Sequence, residues 1–298
     1  MDKTLGAYDI ADLCELARRR LPQGVFEFFD RGNGDEIALV ENRAAFERIK
    51  LNPHALVDTS HRSQEITLFG QRHRMPVAIA PTGSAGLAWH EGEIALARAA
   101  AEAGIPFTLA TGSMTSLERV AEQAGGTLWF QVYMWPDRSL SHQLVERAKA
   151  AGYQALVVTV DTPVPPGREY NLRNGMTVPF RFTRRNVTDV LMHPRWLVGM
   201  FLRTLINHGM PHFENMELRT PLITRTGERD RGHRDQLSWT HVELMRRLWK
   251  GRLVLKGVLH KNDARIARES GVDGVIVSNH GGRQLDGATA PLRALPGI

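Results

Sequence analysis

Residues 277–287 read VSNHGGRQLDG. Histidine is the side chain whose proton affinity lies nearest neutral pH, and arginine offers a planar fork of donors that matches a carboxylate or a phosphate. Between His280 and Arg283 stand two glycines, which let the backbone turn sharply or approach a ligand closely. The stretch therefore joins one candidate base to one candidate anion clamp. Other groups able to do chemistry recur at or just after short apolar runs: Thr82 and Gly83, Thr111 to Ser113, Gln131 and Tyr133, Thr159 and Asp161, Lys256, and Ser278.

Those runs alternate with helical patterns. Residues 9–30 read as helix, with apolar positions at helical spacing around Ile10, Leu13, Leu16 and Ala17, then Val25, Phe28 and Phe29. From residue 75 the spacing predicts strands at 75–80, 106–110, 127–133, 155–160, 253–256 and 274–278. Helices are expected at 91–103, 116–124, 139–151, 239–248 and 262–270, several of them stopping at glycine as C-terminal caps do. The strands are almost continuously apolar, which suits a parallel sheet covered on both faces, so the class is α/β. Periodicity alone is satisfied by an open doubly wound sheet or by a closed barrel. Six strand units are counted where a (β/α)8 barrel needs eight. In a barrel, all the strand ends meet on one face and the polar groups converge there. Taken singly, each has a plainer reading. Lys256 could be a rim lysine, His280 a bonded turn residue, Asp161 a turn initiator before Thr-Pro, and Arg168 and Arg283 surface arginines.

The chain has 298 residues, 42% of them hydrophobic and 23% charged, enough for a substantial core and against general disorder. Its formal charge of +6 suits acidic small molecules, a membrane surface or nucleic acid, or simply a solvated surface. Residues 181–208 carry five arginines and one aspartate, a formal +4, but lack the aromatic interleaving of an RNA platform, so no nucleic acid is expected. The single cysteine, Cys14, excludes an intrachain disulfide and fits a reducing compartment. No secretory signal opens the sequence, and the apolar run 196–202 is too short to cross a bilayer. There is no paired-cysteine spacing and no His-Glu-x-x-His, the GDE and HEGE stretches offer no metal set, and no Gly-x-Gly-x-x-Gly follows a strand. No metal is therefore expected.

Six motifs in order carry a resemblance: APTG at 80–83, HEGEIALARAAAEAGIPFTLAT at 90–111, WFQVY at 129–133, VTVDTPVPPGRE at 158–169, LKG at 255–257 and SNHGGRQLDG at 278–287. Through nearly its whole length the chain resembles the FMN-dependent α-hydroxy acid dehydrogenases and oxidases, the family of glycolate oxidase, L-lactate dehydrogenase and mandelate dehydrogenase. The resemblance implies a (β/α)8 barrel with FMN across its C-terminal face. It implies oxidation of a small L-2-hydroxy acid, lactate- or mandelate-like, to the 2-oxo acid, with a quinone, a cytochrome or oxygen as final acceptor. His280 would be the base and Asp161 its partner, stabilising the charged imidazole. Arg283 and Arg168 would grip the substrate carboxylate, and Tyr133 would bond the substrate. Lys256 would sit at the flavin N1 side, where reduction places negative charge. Thr82, Gly83, Gln131, Thr159 and Ser278 would line or bond the flavin ring.

Two departures stand out. The family has Val-Tyr-Asp-Tyr in the early helix, whose last tyrosine touches the substrate; here VFEF puts Phe28 in that place. The family also continues with two further strand-helix units bearing the FMN phosphate motifs. The chain is therefore expected to be a C-terminally truncated barrel over 1–298, with a long inserted region after the fourth strand at 162–236. It would be homo-oligomeric when complete. Two rivals follow: a non-catalytic relic or binding protein lacking FMN, and a flavin barrel enzyme of another class, such as an isomerase or reductase. Gly83 and Gly112 hint at a substrate larger than glycolate. Residues 181–211 combine basic charge with Trp196, Leu197, Val198, Met200, Phe201, Leu202, Leu205 and Ile206, and HPRW at 193–196 leans toward the membrane-associated bacterial dehydrogenases. A cytoplasmic protein, peripheral on the anionic inner membrane surface through that segment, is the expectation.

Overall fold

The computed structural model describes residues 6–135, 138–177, 180, 182–216 and 236–298. An antiparallel hairpin, β1 (Ile66–Leu68) and β2 (Gln71–His73), precedes a five-stranded parallel sheet. Its strands are β3 (Phe107–Ala110), β4 (Leu128–Tyr133), β5 (Ala155–Thr159), β6 (Arg252–Val258) and β7 (Gly274–Val277), hydrogen-bonded in sequence order. A doubly wound sheet reverses its order at a switch point, whereas strictly sequential parallel order is that of a barrel wall. The expected first strand, 75–80, is reduced to one parallel bridge, Ile79 to Phe107. Ile79 donates to Pro106 O and accepts from Thr108 N, but Pro76 and Pro81 on either side lack the N–H a longer ladder needs.

The wall has two apolar faces because side chains alternate along each strand. Outward, Phe107, Leu109, Phe130, Val132, Leu156, Val158, Leu253 and Leu255 form the main core with the surrounding helices. These helices are Gly92–Ala103, Leu117–Ala124, Arg138–Ala150, Trp239–Leu248 and Lys261–Glu269, all within a residue or two of the positions expected from periodicity. Inward, Trp129, Ala155, Val157 and Val254 form a smaller cluster. The hairpin closes it, with the Phe69 ring 5.9 Å from that of Trp129. Its turn, Phe69 and Gly70, has positive φ at both positions, the two-residue geometry that follows strand twist.

The early helix is two helices, Ile10–Arg20 and Gln23–Asp30. Leu21 is extended because the next residue is Pro22, which disfavours helical backbone before it. Within the region between β5 and the helix Trp239–Leu248 lie helices Glu169–Arg173, Arg184–Leu191, Pro194–Trp196 and Arg203–His208, with a π-helical stretch at Leu197–Leu202. Residues 217–235 of the expected insertion, and Arg181 of its basic segment, lie outside the described residues. The apolar set of this segment is divided between a core and the surface. Trp196 and Met200 are buried in a second core against Leu21 and Val25, and Trp196 Nε1 donates to Leu87 O at 2.8 Å. Val198, Leu202, Leu205 and Ile206 remain exposed.

Candidate active site

Strand register decides which groups share a level. Tyr133 pairs with Thr159, Thr159 with Lys256, and Lys256 with Ile276. These residues lie two or four positions beyond the inward residues Trp129, Val157 and Val254, so alternation points them to the same inner face at its C-terminal rim. Asp161, Ser278 and His280 follow just beyond the strand ends.

There, His280 Nδ1 lies 2.7 Å from Asp161 Oδ1, and Asp161 Oδ2 is 3.9 Å from Lys256 Nζ. Ser278 Oγ accepts from both Lys256 Nζ, at 3.3 Å, and the backbone N–H of His280, at 3.0 Å. The approach of Asp161 depends on Gly257. That residue has φ +108° at a bulge in β6, and a Cβ on it would lie 2.5 Å from Asp161 Cβ. The strand end is also unusual in its backbone. His280, Gly281 and Gly282 have φ of 60°, 67° and 71° in succession, so the two glycines follow a histidine that is itself left-handed. A left-handed non-glycine residue costs on the order of 1 kcal/mol or more, which the surrounding contacts must hold in place. Gly282 packs where a Cβ would meet Leu39 N at 2.5 Å, fixing the turn against the helix Ile37–Glu47.

Burial pushes the His280 pKa below the usual histidine value. The Asp161 hydrogen bond and charge oppose this, while the positive charges of Lys256 and Arg168 add to it. The imidazole is thus neutral near pH 7. A neutral ring facing a carboxylate through Nδ1 carries its proton there, which leaves Nε2 as the basic nitrogen. Lys256 is buried too, and burial lowers its pKa, opposed by Asp161.

Arg283 and Arg168 come together, Arg168 Nη2 donating to Arg283 O at 2.8 Å. The Arg283 fork closes on backbone carbonyls at the end of helix Gln23–Asp30: Nη2 on Phe28 O at 2.6 Å, Nη1 on Phe29 O at 3.1 Å and on Arg31 O. Three of the five donors that a guanidinium carries are engaged there, which leaves the Nε–H and one Nη2–H for an anion. Burial lowers the Arg283 pKa, partly offset by Tyr170, Tyr133 and Asp30. The Phe28 ring lies 5.8 Å from the guanidinium carbon.

Gln131 and Thr159, both buried, meet through Gln131 Nε2 and Thr159 Oγ1 at 2.9 Å. Gly83 lies across from Gly112, and Thr82 before it is exposed, its Oγ1 donating to Ala80 O at 3.4 Å. A Cβ on Gly83 would lie 3.4 Å from Gly112 O, and the Ser84 N–H donates to that same oxygen at 2.8 Å. The expected flavin fits these residues. Gly83 and Gly112 leave a shelf without side chains, Gln131 and Thr159 present polar tips, and Lys256 is a buried ammonium suited to developing negative charge.

The residues that hold these loops in place escaped the sequence reading. Glu93 is buried and accepts from Gly86 N, Met114 N and Thr115 Oγ1, each at 3.0 Å, tying two rim loops together. Asn215 receives the Leu117 N–H at 3.0 Å and donates to Ser113 Oγ at 2.7 Å. Asp286, the last charged residue of the glycine-rich stretch, accepts from Ala38 N at 2.9 Å and so caps the helix Ile37–Glu47. Nor did HEGE suggest a metal set, yet ligand atoms of His90, Glu91 and His208 lie within 4.8 Å of one another. Glu91 Oε1 already holds Arg119 Nη2 at 2.6 Å and His208 Nε2 at 3.1 Å, so a cation would meet a guanidinium.

A family model described as FMN-dependent dehydrogenase matches residues 17–298. (S)-Mandelate dehydrogenase of Pseudomonas putida is 37% identical, over 97% of this chain and 72% of the relative. L-lactate dehydrogenase of Stenotrophomonas maltophilia (strain R551-3) is 41% identical, over 96% and 76%. Among solved structures, the monotopic membrane protein (S)-mandelate dehydrogenase matches with a TM-score of 0.88 at 38% identity, over 96% of this chain and 76% of that one. Mandelate oxidase with (S)-2-phenylpropionate matches with a TM-score of 0.76 at 37% identity, over 97% and 73%.

Proposed function

The chain belongs to the FMN-dependent dehydrogenase family and is a flavoenzyme of the (β/α)8 barrel class, and from that premise we propose that it oxidises an L-2-hydroxy acid to the 2-oxo acid with His280 as base. The observation that carries this reading is the Asp161–His280 pair beside the buried Lys256. When bound, FMN supplies the acceptor of two electrons and one proton. Oxidation removes two protons and two electrons from the α-carbon and hydroxyl of the substrate, and His280 Nε2 takes the other proton. Asp161 then faces an imidazolium and stabilises it. Arg283, through its Nε–H and remaining Nη2–H, and Arg168 hold the substrate carboxylate. Tyr133, on the register level of Thr159 and Lys256, bonds the substrate, while Lys256 offsets negative charge on the reduced ring. Phe28 adds an apolar wall. Thr82, Gly83, Gln131, Thr159 and Ser278 line the ring. Anaerobic mixing of the FMN-loaded protein with L-lactate and (S)-mandelate tests this: bleaching of the flavin absorbance supports it, and an unchanged spectrum with both acids removes it.

We also infer that the surface around 182–210 meets an anionic membrane. Among the described residues no helix is long and apolar enough to cross a bilayer. Phe182, Leu191, Met192, Val198 and Ile206 are nonetheless exposed, with Arg184, Arg185, Arg195 and Arg203 exposed among them. Apolar side chains beside cations suit interfacial binding. Co-sedimentation with anionic vesicles at low salt supports this reading, and no binding refutes it.

A further inference from the structure

A cavity of about 300 Å³ lies between helix Gln23–Asp30 and the helices Arg184–Leu191 and Pro194–Trp196. Its walls are almost wholly apolar, with Val25, Phe28, Leu87, Trp196, Phe201 and Phe213 prominent. Two of these side chains also border the site described above. Phe28 lines the cavity, gives its carbonyl to Arg283 Nη2 and has its ring 5.8 Å from that guanidinium carbon. Phe213 Cε1 would lie 4.0 Å from a Cβ on Gly112, beside the side-chain-free shelf. The one carboxylate and the two amides in the wall are already engaged with protein, and the other polar groups there are the neutral hydroxyls of Ser84 and Thr177. Asp189 Oδ2 accepts the Gln23 N–H at 2.7 Å, Asn174 Nδ2 donates to Glu27, and Asn186 Nδ2 donates to Asn174 O at 3.3 Å. What enters this space therefore brings carbon and no charge, and its volume is that of a small-ligand pocket.

We propose that this cavity receives the side chain of the substrate, so that the preferred substrates are 2-hydroxy acids with an extended apolar tail of about six carbons rather than a single methyl. The proposal rests on the reading of the site as a 2-hydroxy acid oxidoreductase. The carboxylate is held at Arg283 and the hydroxyl-bearing carbon at His280. Past Phe28 the tail then leaves water for an apolar wall. Each buried methylene contributes about a threefold to fourfold preference, so several together outweigh the small differences a polar rim could impose.

The test measures flavin reduction for lactate, 2-hydroxybutyrate, 2-hydroxyhexanoate and 2-hydroxyoctanoate, with calorimetric binding of lactate and 2-hydroxyoctanoate in parallel. Expected are a rise of about threefold per methylene in kcat/KM and tighter binding of the octanoate by at least tenfold. Leu197 also lines the cavity, and Leu197→Trp, which narrows it, should lower the octanoate-to-lactate ratio at least tenfold. Phe201→Ala, which widens it, should shift the preference to longer chains. A flat profile with active lactate, or a ratio untouched by both variants, overturns the tail site and leaves the reaction standing. If no hydroxy acid bleaches the flavin, the reaction itself falls. Weak binding of the octanoate then removes the tail site as well, whereas tight binding lost in Leu197→Trp preserves it.

Discussion

His280 Nδ1 lies 2.7 Å from Asp161 Oδ1, while the other oxygen of that carboxylate is 3.9 Å from Lys256 Nζ. One carboxylate therefore serves two bases, a half-buried histidine and a buried lysine. It fixes the tautomer of the histidine and partly neutralises the lysine. Replacing His280 by Ala should lower the rate of flavin reduction by a factor of about 10² to 10⁴. FMN content should change little, because the groups that line the ring, Ser278 apart, lie at the ends of other strands. Anaerobic stopped-flow spectra give the rate, and the flavin-to-protein absorbance ratio gives the content. Reduction at the parental rate would remove His280 from the role of base.

The pH profile follows from the same cluster. Burial, Lys256 and Arg168 together hold the His280 pKa below 6.5, the ordinary value. A base must be unprotonated, so kcat/KM should be lost as pH falls through this depressed value and should hold steady down to a more acid pH than an exposed histidine allows. Lys256→Met removes a positive charge that pushes the pKa down and leaves Asp161, which pushes it up. The acid limb should then move to higher pH. A limb that stays in place would show that Lys256 does not act on the base.

Gly257→Ala probes the approach of Asp161 rather than its charge. The added Cβ would sit 2.5 Å from Asp161 Cβ, on a residue with φ +108° that L side chains rarely adopt. The carboxylate must move or the bulge must open. A stability loss of about 2–3 kcal/mol is expected, with kcat lowered at least tenfold and KM changed less. Denaturant titration and steady-state kinetics separate the two effects. An unaffected kcat would mean that the Asp161 position does not control the base.

Arg283→Lys should weaken substrate binding and loosen the early helix together. The guanidinium holds the carbonyls of Phe28, Phe29 and Arg31 at once, which a lysine ammonium on a thinner, more flexible stem cannot reproduce in a plane. We expect KM for the hydroxy acid to rise at least tenfold and the unfolding free energy to fall by about 2 kcal/mol. A rise in KM without loss of stability would show that the carbonyl contacts are incidental.

Much of this was legible in the sequence because periodicity and polar placement are local. The helix Trp239–Leu248 and the strands around 128–133 and 155–159 stand where alternation and glycine caps put them. The rim positions Gln131, Thr159 and Lys256 could be named from strand ends alone. What was not legible depended on distant partners. The HGG turn packs its left-handed backbone against Leu39, in a helix that Asp286 caps, and nothing near His280 in sequence announces helix Ile37–Glu47. Nothing in the sequence around Glu93 sets it apart from a solvated helix residue, yet it is a buried tie between loops. In the 181–211 segment, composition could not divide one apolar set into an inward and an outward half. The π-helical register and the second core around Val25 make that division.

That division can be tested directly. Met192 and Ile206 are 75% and 82% exposed, whereas Trp196 is 5% exposed and packs in the second core. Paired Met192→Glu and Ile206→Glu substitutions place negative charge and remove apolar surface where an anionic bilayer would lie. They should abolish binding to anionic vesicles, and the melting temperature should move little, since neither side chain is part of a core. Trp196→Ala should do the opposite. It empties a buried site and leaves Leu87 O without its donor, for a loss of about 3–5 kcal/mol. Where the fold survives, the exposed face is intact and vesicle binding should persist. Vesicle co-sedimentation and thermal melts of both variants give a two-by-two outcome. If the glutamate pair still binds vesicles as the parent does, the exposed apolar face is not the membrane contact.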